Sequence, residues 1–506
     1  MGGDRLLSLG GDADAAAVLS EGKWLNYGEL ESRARRIAAK LLALGVKAGD
    51  RFAFLMPNSP NTLCCYIACA RTGIVGVPIS QRITPSEFRY QLKDSGSVLL
   101  LYGSDFAPLV DEQRAGLANV RHFINESSLD SGPDALPTGV RRLDADARIN
   151  GKSPFCVMYT GGTTGSSKAA IQTRESWVCC LESSVEAWSL SSKDRHLIAL
   201  PMSHAAWFTA GAALQAGGTV TILRDWNPDL ALDLVEQQRI STLNMVPTML
   251  GDLLKAFEAR PRNVRSVRLL TVAGSVLPVA TYRRARAVFG EVIGNIYGLT
   301  EAAGPVTFLL PSDMSAGKHE SVGKPGKNIE LAILDDCGNP TSGLETGEIG
   351  LAGPQITTGY LEKPEETRDT FAGKWFLTGD IGKIDADGFV YVVDRRKDMI
   401  KTGGFNVYPS EVEQVLYKQP EVLECAVLGM PDIKWTEAVH AAVVLRPGFT
   451  GSESHLISRC RKELAGYKVP KEVHFVPKLP RTRFGKFDKA QLKRDLSSNA
   501  SDQEHG

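Results

Sequence analysis

Apolar positions along this chain recur with two different periods, and the change from one to the other divides it. Residues 28–44 (GELESRARRIAAKLLAL) carry apolar side chains at helical spacing and stop at Gly45, a suitable helix C-cap. The run FAFLMP at 52–57 follows, then a helical pattern near 61–71, GIVGVPI at 73–79, a helix at 85–94 and VLLLYG at 98–103. Short apolar runs alternating with amphipathic helices predict parallel βαβ units. The alternation resumes with PFCVMYT (154–160), TVTIL (219–223), TLNMV (242–246) and VRLLTVAG (267–274). After about residue 320 the runs shorten and alternate with period two, as in IELAILDD (329–336), GEIGLAG (347–353) and FVYVVD (389–394), with Gly and Asp turns between them. That texture predicts antiparallel β structure. A charged segment, DRRKDMIK at 394–401, separates it from a small α+β unit running to about 494, and the tail containing SSNASDQEHG reads as disordered.

The fold class is therefore mixed α/β and α+β. A large N-terminal region of αβ-layered subdomains with a β-rich subdomain covers 1–394, and a small α+β domain covers 395–506, with the junction at 394–398. Of the 506 residues 43% are hydrophobic, enough for large cores. Lys plus Arg and Asp plus Glu both total 58, which argues against a nucleic-acid or membrane-surface binder and favours a small ligand held by local charge. The nine cysteines include no pair at metal-ligand spacing and read as reduced thiols of a cytoplasmic protein. The N-terminus lacks a signal-peptide core, and Leu6 stands where a myristoylation signal needs Ser or Thr. The charge-free stretch Leu197 to Leu223 is punctuated by Pro201, His204 and Gly217-Gly218, so it reads as a buried strand–loop–helix–strand and not a transmembrane segment.

Four strings carry chemistry. YTGGTTGSSKAA (159–170) follows a buried apolar strand. Its glycines Gly161, Gly162 and Gly165 let backbone N–H groups turn toward phosphate oxygens; Thr160, Thr163 and Thr164 add hydroxyls and Lys168 a positive charge. The spacing is not that of a Walker A loop. In NIYGLTEAAG (295–304), Tyr297 beside Gly298 offers a face for a purine, Thr300 a hydroxyl and Glu301 a hard oxygen ligand for Mg2+. In WFLTGDIG (375–382), Asp380 follows a Thr-Gly turn, where a carboxylate suits ribose hydroxyls; Arg395 ends the next strand. LPRTRFGKFDK (479–489) sets Lys486 in a basic stretch that, taken alone, is as readily a solvated face.

The order and spacing of these strings, with the DRRKD segment between the third and fourth, resemble the AMP-binding superfamily of acyl-CoA synthetases, peptide-synthetase adenylation domains and beetle luciferases, and most of all its medium- and long-chain fatty acyl-CoA synthetases. The resemblance runs from the YGEL helix near 27 to GKFDK near 489. It implies ATP, Mg2+ and coenzyme A as co-substrates and cofactor, and a carboxylic acid activated as its acyl-adenylate. The loop 159–168 would wrap the β- and γ-phosphates with Lys168 on the leaving pyrophosphate. Gly274 and Ser275 would line the adenine, Tyr297 would stack on it, Thr300 would contact phosphate, and Glu301 would hold Mg2+. Asp380 and Arg395 would hold the ribose. Lys486 would bridge the carboxylate and the α-phosphate. The resemblance also implies a mobile small domain that pivots at Lys397 and then presents Lys401, Gly403 and Gly404 for thioester formation. The sequence departs from the family's usual residues at Gly162, Ser167, Ala169 and Thr436, the last in place of a glycine.

For the acid, His204, Trp207 and Phe208 in PMSHAAWF fall where relatives line the acyl pocket, and 202–209 holds no Asp to pair an α-amino group. A fatty or other bulky hydrophobic acid is the expected substrate. An aryl-CoA ligase, or an enzyme loading a separate carrier-protein thiol, is the alternative. A non-enzymatic ATP-binding role is disfavoured because Lys486 and Glu301 are both present.

Overall fold

The computed structural model describes residues 6–129, 149–160, 167–204, 207–274, 277–481 and 487–503. The chain forms two compact units. The first draws on Met1–Thr160, Ser167–Leu331 and Leu351–Phe376, the second on Ala332–Gly350 and Leu377–Gly506. The division is not linear along the chain. Residues 332–350 and 377–394, expected with the N-terminal region, group with the C-terminal unit, and the 394–398 segment lies inside it.

The first unit holds two mainly parallel sheets, as the alternation of apolar runs and helices requires. In one, Ala16–Ser20, Thr219–Ile222, Arg195–Ile198, Thr242–Met245, Leu269–Val272 and Ile293–Leu299 run parallel, and antiparallel strands Lys23–Asn26, Gly304–Leu309 and Lys324–Pro325 finish the edges. In the other, His122–Asn125, Leu99–Tyr102, Arg51–Leu55, Val75–Pro78 and Pro154–Tyr159 run parallel, with Ala169–Thr173 antiparallel at the edge. The largest buried cluster gathers helices Tyr27–Ala43, Pro60–Thr72, Arg174–Ala187 and Trp207–Gln215 with residues of both sheets, among them Val18, Phe54, Phe155 and Ile198. The helix ends are chemically specified. Asn26 and Glu29 form a reciprocal capping box, and Ser59 caps Pro60–Thr72, which ends at Gly73 with φ +66°. The charge-free stretch forms the expected strand, helix and strand. Among the described residues no helix is long and apolar enough to cross a membrane.

In the second unit, Trp375–Ile384 pairs antiparallel with Val390–Arg395, as the period-two pattern predicts. Beyond it, Val422–Asp432 and Thr436–Leu445 form a long antiparallel pair, flanked by Ile400–Thr402 and by the parallel strand Glu472–Phe475. One face packs helices Pro409–Tyr417 and Glu453–Glu463; the other packs Leu479, Leu492 and Leu496 against Ala426 and Leu428. The tail corrects the sequence expectation. Of the residues after about 494 expected to be disordered, those to 503 continue the helix Lys489–Gln503, with Asp488 accepting from Gln491 N at its start; 504–506 lie outside the described residues. Leu492 and Leu496, four residues apart, are both buried, and this one apolar contact line outweighs the polar composition.

Thr436 adopts φ +70°, a backbone state that glycine reaches freely and a β-branched residue reaches only with strain. Thr436→Gly is therefore expected to stabilise the protein by about 1 kcal/mol, the low end of the cost of a left-handed non-glycine residue. Urea unfolding checks this; an unchanged or lower midpoint would show that the strand pairing already absorbs the strain.

Candidate active site

In the first unit the phosphate-loop string bridges two antiparallel strands, Pro154–Tyr159 and Ala169–Thr173, closed at their open end by Thr160 N donating to Lys168 O at 2.8 Å. Gly161, Gly162, Thr163, Thr164 and Gly165 lie outside the described residues. Lys168 Nζ stands 5.0 Å from the centroid of the Tyr360 ring, and the Tyr360 hydroxyl donates to Glu301 Oε1 at 2.9 Å. Two residues singled out from sequence, 133 positions apart in the numbering, thus meet one tyrosine, Lys168 at its ring and Glu301 at its hydroxyl. Burial, and then the neighbouring Glu301 carboxylate, push the Tyr360 hydroxyl above its ordinary pKa, so it stays a hydrogen-bond donor.

Glu301 sits in the single 3-10 turn Thr300–Ala302 that follows Ile293–Leu299. The turn's carbonyls are held by side chains. Gln172 Nε2 donates to Thr300 O at 2.6 Å, Gln355 Nε2 to Ala302 O at 2.9 Å and Pro305 O at 2.7 Å, and Thr357 N to Glu301 O at 2.6 Å. Gly298 is required where the chain doubles back, because a Cβ there would lie 2.3 Å from the Gly304 carbonyl oxygen. Tyr297 is half-buried and in register with Thr307. Gly274, with φ +86°, ends the Leu269–Val272 segment; Ser275 lies outside the described residues.

The three acyl-pocket candidates separate. His204 is half-buried in the loop before helix Trp207–Gln215. Trp207 is 1% exposed, with ring centroids 4.1 Å from both Tyr66 and Trp177, the surroundings of a core side chain. Phe208 points elsewhere: its ring lies 3.4 Å from where a Gly304 Cβ would stand, and it faces Trp188 at 5.8 Å.

In the second unit, Asp380 is 5% exposed and in register with Arg395, whose Nε lies 3.2 Å from its Oδ1. The Thr-Gly turn expected before it is not formed: Gly379, φ +72°, lies within strand Trp375–Ile384, and its N–H donates to Glu348 Oε1 at 2.9 Å; Arg396 pairs with the same Glu348. Lys397 occupies the 3-10 turn Arg396–Asp398, and burial depresses its pKa. Ser410 donates through N to Asp394 Oδ2 at 2.8 Å and through Oγ to Val393 O. Lys401 is exposed, its N–H bonded to Glu437 Oε2. Gly403 and Gly404, φ +55° and +83°, form the two-residue turn of the hairpin Ile400–Thr402/Phe405–Val407, which demands positive φ at both. Lys486 lies outside the described residues.

Sequence reasoning missed Tyr360, Gln172, Gln355 and Thr357. The available signal was a buried polar residue in an apolar strand, Gln172 in AAIQT, and the small-polar TTGY string at 357–360.

With this geometry in hand, comparison with known proteins is direct. The AMP-binding enzyme model matches residues 8–361 and the AMP-binding enzyme C-terminal domain model matches 411–486. A feruloyl-CoA synthase of an Amycolatopsis species is 37% identical over 488 residues, covering 95% of this chain and 96% of that protein. A long-chain-fatty-acid–CoA ligase of Mycobacterium tuberculosis, FadD13, is 35% identical, covering 94% and 93%. Among solved structures, the O-succinylbenzoate coenzyme A synthetase of Bacillus subtilis in complex with ATP and magnesium superposes with TM-score 0.84 at 30% identity, covering 95% and 97%. The chain belongs to the AMP-binding enzyme family. By class it is an AMP-forming acid–thiol ligase.

The Tyr360 hydroxyl orients the Glu301 carboxylate. If Glu301 holds Mg2+, as expected from the sequence, Tyr360→Phe, which removes that donor and little volume, should leave the fold intact while the apparent affinity for Mg2+ in the ATP-dependent step falls about 10–100-fold, the scale of losing an outer hydrogen bond to a metal ligand. An Mg2+ titration of pyrophosphate release measures it; an unchanged Mg2+ dependence would remove Tyr360 from the site.

Proposed function

We propose that this enzyme joins a bulky hydrophobic carboxylic acid, aryl or fatty, to coenzyme A at the expense of ATP. The meeting of Lys168 and Glu301 on Tyr360 carries the reading, because it puts a cation suited to a leaving pyrophosphate and a hard carboxylate suited to Mg2+ in one place. In the first step the substrate carboxylate attacks the α-phosphorus, and pyrophosphate leaves with its electron pair. Bound Mg2+ supplies charge neutralisation there; Lys168 and Lys486 do the same from the protein, and the Glu301 carboxylate fits the ion. Both nucleophile and leaving group are already anions, so positioning matters more than acid–base chemistry. In the second step the CoA thiol, losing its proton, attacks the acyl carbon and AMP leaves. Asp380 and Arg395 are assigned to the ribose, Gly274, Ser275 and Tyr297 to the adenine, and Thr160, Gly161, Gly162, Thr163, Thr164, Gly165 and Thr300 to the phosphates. Lys397 is assigned to the pivot, and Lys401, Gly403 and Gly404 to the CoA step.

Both a feruloyl-CoA synthase and a long-chain ligase resemble the chain along nearly their whole lengths, so the acid class rests on the chain's own residues. Phe208, buried against Gly304, two residues past the Thr300–Ala302 turn, supports an apolar acid. A separate carrier-protein thiol is the second acceptor to test. Nine cysteines that are all free thiols suit a reducing cytoplasm.

The deciding experiment is acid-dependent pyrophosphate release across fatty, aryl and polycyclic acids, with and without CoA. Release with an apolar acid and thioester only when CoA is present is the expected result; release with amino acids alone would overturn it. Lys486→Ala should lower adenylate formation by about two orders of magnitude or more and spare thioester formation from pre-made acyl-adenylate. Equal loss in both assays would reject that assignment.

The two neighbouring aromatics should respond differently. Trp207→Ala is expected to cost about 3–5 kcal/mol of stability, as for a large buried ring, and to lower all activities together. Phe208→Ala should change relative kcat/KM among acids of different size in a protein that still folds. Thermal melts beside a substrate series test this; unchanged acid preference in a folded Phe208→Ala would leave Phe208 as packing only.

A further inference from the structure

The C-terminal unit carries a cluster of ligand-type side chains that the adenylation and thioester chemistry does not use. His440 on strand Thr436–Leu445 and Glu472 and His474 on strand Glu472–Phe475 stand together because the strands pair in parallel, with His440 opposite Glu472 and Ala442 opposite His474. Directly opposed residues share a face of the sheet, and residues two apart on one strand share it too. All three side chains therefore project from one face, and the intervening Val473 turns its side chain to the other. His474 has only the methyl of Ala442 opposite it, so its ring leans along the sheet to lie 5.3 Å, centroid to centroid, from that of His440.

The donor atoms converge. His440 Nδ1 lies 3.0 Å from His474 Nε2 and 3.8 Å from Glu472 Oε2, and His474 Nε2 lies 3.6 Å from the same oxygen. A tetrahedral ion with bonds of about 2.0–2.2 Å separates its donors by about 3.4 Å. The three distances bracket that value. Among the described residues this is the one group of three His, Cys, Asp or Glu side chains so close together.

We propose that His440, Glu472 and His474 bind a divalent transition-metal ion of the zinc class, which ties strand Glu472–Phe475 to strand Thr436–Leu445. Two imidazoles and one carboxylate suit Zn2+ and its neighbours in the first transition row, and are a poor set for Mg2+, which prefers oxygen ligands. The site is thus chemically separate from the magnesium used with ATP. Glu472 is exposed and His440 mostly shielded, so the ion would enter from the Glu472 side, leaving its remaining position to water. Because an ion held by the native strands and not by the unfolded chain stabilises the fold by mass action, the site acts as a clip on the second unit.

The test uses the tag-free full-length chain without ATP or acid, so its outcome does not depend on the ligase reading. Zn2+ is titrated by calorimetry and by thermal melting, and Co2+ serves as the spectroscopic probe. The expected result is one site per chain, a visible Co2+ ligand-field band of a low-coordinate site, and a rise in melting temperature with Zn2+. Glu472→Gln, at an exposed position where the fold tolerates it, and His474→Gln should each weaken Zn2+ binding at least about tenfold and abolish the Co2+ band. His455→Gln, a histidine on the helix Glu453–Glu463 outside the cluster, should change neither. Absence of Zn2+ binding in the wild type, or equal binding in Glu472→Gln and His474→Gln, or the same loss in His455→Gln, would overturn the site.

Discussion

The candidate site depends on how one short turn has its backbone satisfied. Thr300–Ala302 departs from the strand before it, so its carbonyls leave the sheet ladder; Thr300 O keeps one partner within the turn, the Ala303 N–H, and a buried carbonyl left unpaired costs about 1–3 kcal/mol. Two amides with no solvent exposure, Gln172 and Gln355, meet that need from distant parts of the chain, and the Thr357 N–H supplies a third donor. Gln172 is fixed in turn, its Oε1 accepting from the Trp177 indole at 2.8 Å. Each amide is committed at both ends or to two carbonyls, so the turn has little freedom to relax. Thr300 and Glu301 gain from this a defined direction, which a reaction driven by electrostatic positioning needs.

The same coupling explains what the sequence could and could not show. Strands and helices of the parallel sheets were legible because each is written in a local period. The glycines of YGLTE and TGGFN were legible as turn signals, and Gly298, Gly403 and Gly404 do stand where a side chain would clash or the backbone needs positive φ. Gln172 and Tyr360 were not legible. Their partners lie 128 and 59 residues away, and nothing local distinguishes a glutamine in a strand from a surface one. The tail misled for a related reason. Its composition is that of a disordered segment, but two leucines at helical spacing meet a sheet face that exists only after strands Val422–Asp432 and Thr436–Leu445 have paired.

Trp207 and Phe208 show how close a sequence reading can come and still leave the outcome open. Consecutive residues on a helix point about 100° apart, so two adjacent aromatics cannot serve the same wall. Both are buried in one apolar cluster, but Trp207 stacks with Tyr66 and Trp177, while Phe208 packs toward Gly304 and Trp188. Composition alone could not have separated them, because both environments are apolar; the separation comes from which faces of helix Trp207–Gln215 meet which neighbours.

Charge pairs complete the distinction between holding the fold and holding a ligand. Arg262, 2% exposed in its side chain, pairs with Asp229 and Asp233 and also donates to the Ala256 and Arg260 carbonyls. Its desolvated guanidinium needs every one of those partners, and removing any leaves a buried charge short, which marks a structural pair. Arg395 is 49% exposed, and its Nε lies 3.2 Å from Oδ1 of Asp380, whose side chain is 8% exposed. With that guanidinium half in water, the pair is screened by solvent where the Arg262 network is not. Asp380 follows Gly379, φ +72°, inside strand Trp375–Ile384, so its buried carboxylate is fixed by the strand while the Arg395 guanidinium opposite it reaches solvent. A buried carboxylate whose cationic partner is open to water on one side is the arrangement that the proposed ribose contact needs, and the closed Arg262 network does not offer it.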